Sequence, residues 1–329
     1  TGAGQNARTK NHRGGDNVAP PIIHQPPDQY RILVVDDEPA IHAVTKLSLR
    51  GLTYADRDVE LLSAASGAEA IEVMRANPDV AVILLDVVME TDSAGLDACR
   101  AIRDELDNHL VRILLRTGQP GQAPERETID EYDLDGYLAK AELNATRLYS
   151  AIRAALKSWH ELVQLQRHER YMEVLHERAM ALHSYDPLPL TLSHILEAAI
   201  EICPASLGVI ELQSFEQSGN PQRHFVHLAT QTNGHDGETA AEEIRAKIAR
   251  DPQARAITTP QAYGEGLLVP LRAHRDLGSG WLYLNAGKVD DLTRSALTLL
   301  AGHAANSLYS TVAESMLAGP EESIDSLAI

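Results

Sequence analysis

Two apolar runs end in carboxylates, and that pairing constrains the chain more than any other feature. ILVVDDEP places Asp36 and Asp37 after one run, and AVILLDVVM places Asp86 after another. Continuous apolar runs of this length read as parallel strands buried on both faces, so the three carboxylates emerge together at the carboxyl edge of one sheet, where open α/β folds hold their ligands. Carboxylates gathered so closely repel one another unless a cation lies among them, and hard oxygen donors suit Mg²⁺. Two more runs bring complementary groups to the same edge. VRILLRTG ends in Thr117 and DGYLAK in Lys140, a hydroxyl and an ammonium suited to phosphoryl oxygens.

The pattern predicts strands near 31–36, 58–63, 80–86, 110–115 and 134–139. Between them EPAIHAVTKLSLR, GAEAIEVMRAN and AGLDACRAIRDEL repeat apolar residues at three- and four-residue steps, as helices do. Strands and helices alternating through right-handed crossovers form a doubly wound α/β sheet, here with expected order 2-1-3-4-5.

The succession Asp-Asp, Asp, Thr, Lys, each after its own strand, resembles the receiver domain of two-component response regulators, from about Arg31 to Lys157. The resemblance implies a flavodoxin-like (βα)5 fold in which Asp86 accepts a phosphoryl group from a histidine kinase or phosphotransfer protein. It further implies that Asp36 and Asp37 hold Mg²⁺ with help from Asp86 and the backbone carbonyl of Val88, and that Thr117 and Lys140 bind the phosphoryl oxygens. Tyr137 occupies the place of an aromatic that swings inward once the threonine moves. It lies three residues before Lys140, so the two side chains take opposite faces; the alternative is a tyrosine that only packs at a sheet edge. Regulators of this shape that are never phosphorylated usually lack the Asp, the Thr or the Lys, and all are present here.

Departures from the family pattern are local. Glu90 stands where a proline is common, Gly95 comes one residue late, and Ala141 follows Lys140 in place of a proline. RTGQPGQAPERE, with two glycines and two prolines, predicts an ordered turn before a shortened fourth helix. Gly118 leaves room for a phosphodonor, and Val88 and Gln119 flank the path of water toward Asp86. An apolar Val88 cannot orient that water, so the expectation is a long-lived phosphoaspartate.

At 329 residues the chain exceeds one such domain and divides best in two. A formal net charge of -18 repels a phosphate backbone, which argues against DNA as a partner. Cys99 and Cys203 show no metal spacing and suit a reducing cytoplasm, and no apolar stretch is long enough to span a bilayer. Residues 1–30 are polar and rich in Gly, Asn and Pro, the composition of a disordered tail, and the receiver domain is expected over 31–144.

Residues 145–183 lack Pro and Gly and are expected to form one long signalling helix. Leu148, Ile152, Ala155, Trp159, Leu162, Leu165, His168, Met172, Leu175, Ala179 and Leu182 recur at steps of three or four. This seam fits a coiled coil in a homodimer or packing against the chain's own second domain. His160, His168 and His176 read as seam or solvated residues, since the chain shows no ATP-binding motif. His224 and His227 point to opposite faces of a strand, and His235-Asp236 is expected in a polar loop.

Over 184–317, strand-like LGVIELQSF, HFVHLATQ, EGLLVPLRA and GWLYLNAG lie among helices TLSHILEAAIEI, EEIRAKIAR and LTRSALTLLAGHAANSLYSTVAESML. An antiparallel sheet with flanking helices is an α+β arrangement that resembles GAF and PAS sensor modules. With the receiver it resembles the bacterial family that joins a receiver to a GAF-like domain, DUF3369, whose ligand is unknown. The expectation is a response regulator that is not an enzyme beyond its own phosphotransfer and autodephosphorylation, with output by protein–protein contact and residues 318–329 as a tail. The alternative is a truncated regulator lacking a catalytic output, a cyclic-di-GMP phosphodiesterase or a histidine kinase.

Overall fold

The expected parallel sheet forms the first of two units, and its strands carry the predicted carboxylates to one edge. The protein is described from a computed structural model over residues 27–118, 129, 131–140, 144–182, 188–214, 224–230, 235–272 and 278–317. Residues 1–26, most of RTGQPGQAPERE, Ala141, residues 183–187 and the tail at 318–329 lie outside the described residues. The two units meet in sequence between Leu165 and Gln166.

In the first unit the elements are β1 (Tyr30–Val35), α1 (Pro39–Ser48), β2 (Thr53–Tyr54), β3 (Arg57–Ala64), α2 (Gly67–Ala76), β4 (Val80–Asp86), α3 (Ala94–Arg100), β5 (Arg112–Thr117) and β6 (Gly136–Ala139). A π-helical turn, Ala101–Glu105, extends α3. The sheet order is β2-β3-β1-β4-β5-β6. Its five parallel strands follow the expected 2-1-3-4-5, and β2 adds an antiparallel edge on β3. Ala55 and Asp56 connect β2 to β3 with φ of 48° and 59°, the paired positive values of a tight hairpin turn. Strand β5 runs two residues further than expected and so includes Arg116 and Thr117.

Period-2 alternation sorts the core into two faces. Leu33, Val35, Ile83, Leu85, Ile113 and Leu115 pack with Ala70 and Met74 of α2 and with Cys99. On the other face Ile32, Val82, Leu84 and Leu114 pack with Leu148, Ile152, Leu156 and Trp159, from the first half of α4 (Ala145–Leu182). Tyr30, fully buried, makes edge contacts to Tyr54 and Trp159, and its hydroxyl bonds His160 Nδ1 at 2.8 Å. His160 is thus part of the packing. The start of α2 is fixed by Ser66, which accepts from Glu69 N at 3.1 Å while the Glu69 carboxylate accepts from Ala65 N at 2.7 Å, a pairing close to a capping box.

The second unit contains α5 (Leu188–Ile202), β7 (Leu207–Ser214), β8 (His224–Thr230), α6 (His235–Arg250), α7 (Pro252–Ala256), β9 (Gln261–Tyr263), β10 (Gly266–Arg272), β11 (Gly278–Leu284) and α8 (Asp291–Leu317). Its sheet is antiparallel, in order β8-β7-β11-β10-β9. Ile210, Val269, Leu271, Leu282 and Leu284 face α5 and α8, and Leu268 and Tyr283 face Ile248 and Ala254 of α6 and α7. Strand β9 and helix α7 are additions to the sequence reading, being too short to show a period. His235-Asp236, expected in a loop, begins α6.

Part of the seam on α4 is buried within each unit. Leu148, Ile152, Ala155 and Trp159 lie in the core of the first unit, and Leu175 lies with Tyr171 and Val174 in that of the second. Leu165 and Met172 remain exposed. No described helix is long and apolar enough to cross a membrane.

Arg167 is a buried charge, with its side chain 2 % exposed, and it is held by Asp290 at 2.6 Å, by Thr293 Oγ1 at 2.9 Å and by Tyr171 at 3.1 Å. Burial alone raises the Asp290 carboxyl, but hydrogen bonds from Arg167 and Thr293 outweigh it and bring it down to about 2. A depressed carboxyl stabilises the fold fully above its unfolded value near 4 and loses that contribution as pH falls toward 2. Asp290→Asn is therefore expected to cost about 3 kcal/mol at neutral pH, because it takes the Asp290 charge away from a buried guanidinium. Urea unfolding of both proteins checks it, and the gap should narrow progressively below about pH 4.

Candidate functional site

The edge chemistry follows from strand parity. In β1, β4, β5 and β6 the residues Ile32, Val82, Leu84 and Leu114 share the α4 face with Leu138, and counting on by twos reaches Asp36, Asp86, Arg116 and Lys140. Two carboxylates and two cations are therefore delivered to the same face at the same edge. Thr117 and Tyr137 have the other parity, and Tyr137 packs, partly buried, against the α2 side of the core.

The contacts match this placement. Lys140 Nζ lies 2.6 Å from Asp86 Oδ2 and 3.7 Å from Asp36 Oδ2. Arg116 Nη2 pairs with Asp36 Oδ2, with both side chains almost wholly buried. Asp36 Oδ1 accepts from Glu38 N at 2.9 Å, and Asp86 Oδ1 accepts from Val87 N at 3.0 Å. Burial pushes the Asp86 carboxyl above its ordinary value, with Lys140 and Arg116 opposing and Asp36 reinforcing the shift. Thr117 is buried on the strand next to Asp86, one residue beyond its register partner Arg116. Val88 is exposed. Gln119 lies outside the described residues.

Asp36, Asp37 and Glu38 each offer a carboxylate oxygen within 4.8 Å of the others. This all-oxygen set fits Mg²⁺ by chemistry and spacing. Glu38 and Arg116 are the residues the sequence reading passed over. Arg116 had a signal, since a charged side chain closes the otherwise apolar run ILLRT and has the same parity as the carboxylates.

Backbone proximity explains the departures around Asp86. A Cβ on Gly95 would sit 1.9 Å from the Asp86 carbonyl oxygen, and Gly95 N donates to Val87 O at 3.1 Å. Glu90 has a structural partner of its own: its Oε1 accepts from Gly67 N at 2.9 Å, at the start of α2, where a negative charge meets the positive end of the helix dipole. Cys99 and Cys203 are buried and take no part, burial pushing both thiols up to about 11.

Comparison with known proteins agrees with this class of site. Residues 32–153 match the family model described as response regulator receiver domain. Chemotaxis protein CheY1 of Helicobacter pylori is 31% identical over 110 residues, which are 33% of this chain and 84% of that protein. The chain belongs to the response regulator receiver family through this region. A receiver-domain protein from Clostridium thermocellum of known structure is 26% identical, with 40% of this chain and 98% of that one covered and a TM-score of 0.35. A 145-residue stretch, 44% of the chain, is 42% identical to 3'3'-cGAMP-specific phosphodiesterase 2 of Vibrio cholerae. The chain covers 28% of that protein's length. This match overturns the expectation of a regulator that is not an enzyme beyond its own phosphotransfer and autodephosphorylation, because a stretch covering 44% of the chain is similar to part of a named phosphodiesterase.

Gly95→Ala is expected to lower stability by roughly 1–3 kcal/mol, since the α3 start and the Asp86 backbone must separate. Gly118→Ala, whose added Cβ meets, among the described residues, only Lys140 Cδ at 3.7 Å, is expected to stay within about 0.5 kcal/mol of the native chain. Denaturant unfolding of the two variants gives the comparison.

Proposed function

We propose that this chain is the phosphorylation-controlled regulatory region of a two-component pathway whose output is catalytic, of the cyclic-dinucleotide phosphodiesterase class. The single observation that carries the first half is the buried Asp86 carboxylate held 2.6 Å from Lys140 at the edge of the parallel sheet. A carboxylate oxygen of Asp86 attacks the phosphorus of a phosphohistidine on a histidine kinase or phosphotransfer protein. The new P–O bond forms as the P–N bond breaks, and the imidazole leaves with a proton. Asp36 and Asp37, with Asp86 and the Val88 carbonyl, would hold Mg²⁺, which when bound neutralises the equatorial phosphoryl oxygens. Lys140 adds a fixed positive charge there, and Thr117 donates a hydrogen bond to the transferred group.

Phosphorylation adds about 1.5–2 negative charges at this edge. Thr117 and Tyr137 lie on one face of adjacent strands, which supports a switch in which the hydroxyl moves toward the phosphoryl group and the ring follows. The antiparallel sheet of the second unit, covered by helices on both faces, supports a GAF-like module of the DUF3369 kind. Leu165 and Met172, exposed one heptad apart on α4, are the surface a homodimer would use. The catalytic output is supported by the 42% identity to a phosphodiesterase.

Acetyl phosphate with Mg²⁺ should add one phosphoryl group to the native chain by intact mass and none to Asp86→Asn. Labelling of both, or of neither, overturns the acceptor assignment. Val88→Asn should shorten the life of the phosphorylated form several-fold, and an unchanged decay rate refutes the role given to Val88. In the source cells, Asp86→Asn should alter cyclic-dinucleotide pools measured by mass spectrometry; identical pools count against the catalytic output.

A further inference from the structure

We infer that Arg116 is the resident counter-ion of the metal pocket and competes with the divalent cation for Asp36. The inference deepens the reading above and rests on its placement of the metal. Asp36 is fully buried and the Arg116 side chain is 5 % exposed. A guanidinium stays protonated in proteins, so this is a permanent charge that cannot be relieved by losing a proton. Its Nη2 donates to Asp36 Oδ2, and its buried Nε has no hydrogen-bond partner among the described residues. Asp36 is thus the anion seen to compensate it, and the arginine in turn compensates Asp36.

Register makes the placement inescapable. Arg116 is paired with Asp86 on one side and Leu138 on the other, so β5 is held between β4 and β6 and cannot slip to turn the side chain outward without reversing the parity of Ile113 and Leu115. A divalent cation taking Asp36 as ligand therefore meets a guanidinium already on that carboxylate. Like charges brought close together repel, and more strongly where burial lowers solvent screening, as it does at Asp36 and Arg116. Of the groups Asp36, Asp37, Asp86, Arg116 and Lys140, three are negative and two positive. Removing Arg116 would leave the pocket one unit more negative and Asp36 free of its competitor. Arg116 accordingly raises the Mg²⁺ concentration at which the pocket fills, and filling requires the guanidinium to leave Asp36.

Isothermal titration of Mg²⁺ into the full chain is the test. Arg116→Met should bind Mg²⁺ about tenfold more tightly than the native chain, a difference of ~1.4 kcal/mol; equal or weaker binding overturns the inference. Loss of Arg116 takes one charged partner from the buried Asp36 carboxylate and bears on folding, so a measurement on the native chain stands beside it. The Arg116 Nε–H resonance, assigned by its loss in Arg116→Lys, should shift as Mg²⁺ is added and saturate with the calorimetric midpoint. A resonance unmoved at saturating Mg²⁺ also overturns it. The two readings fail separately: an Asp86 that acetyl phosphate never labels defeats the phosphoacceptor assignment while leaving the Mg²⁺ competition measurable. A labelled Asp86 with Mg²⁺ affinity indifferent to Arg116 does the reverse.

Discussion

Buried charge at the carboxyl edge of the parallel sheet is the constraint on which the first unit depends. Asp36 and Asp86 are 0 % and 2 % exposed, and an ionised carboxylate in that setting is tolerated only with a charged or hydrogen-bonding partner. The partners come from two other strands, Arg116 from β5 and Lys140 from β6. Four parallel strands must therefore share one register for the charges to meet. A slip of one residue in any of them would send a carboxylate or a cation to the opposite face and a core residue to the edge. The apolar runs that make the sheet and the ions that make the site thus specify the same arrangement.

The loop after Asp86 is shaped by proximity more than by its own turn chemistry. Gly95 approaches the Asp86 carbonyl too closely for any side chain, and Glu90 reaches the first turn of α2 to accept from Gly67 N. The proline common at the Glu90 position would stiffen the loop from within. Here the same loop is tied from outside, by a carboxylate on a helix terminus. The longer and more acidic loop is therefore compatible with an ordered Asp86 backbone.

Much of this was legible in the sequence because burial writes itself into continuous apolar runs. The five parallel strands, their order, and the meeting of Asp36, Asp86 and Lys140 followed from ILVVDD, AVILLD and DGYLAK. What was not legible had weak or ambiguous local signals. The β2–β3 hairpin turns through Ala55 and Asp56, without the Asn-Gly or Asp-Gly pair that marks such turns. Strand β9 is three residues long, below any period. Spacing on α4 alone does not tell a partner helix from the chain's own sheet, and the seam is buried at Leu148, Ile152, Ala155, Trp159 and Leu175 but exposed at Leu165 and Met172. Arg116 lay just past the expected end of its strand at 115, and β5 extends to Thr117, which carries Arg116 to the edge on the same parity as the carboxylates.

Parity also separates the site into two sides with different neighbours. Thr117 and Tyr137 belong to the face that packs on α2 and α3, the face along which an inward swing of the tyrosine would be felt. Asp36, Asp86, Arg116 and Lys140 extend the face whose core residues, Leu84 and Leu114, pack on Leu148, Ile152 and Trp159 of α4. The charged groups are thus continuous with the packing of the long helix, while the hydroxyl and the aromatic are continuous with the opposite layer. Tyr171, Val174 and Leu175 of the same helix are built into the core of the second unit. The four charges and the first-unit core residues of α4 thus share one face of the parallel sheet, and Thr117 and Tyr137 belong to the other.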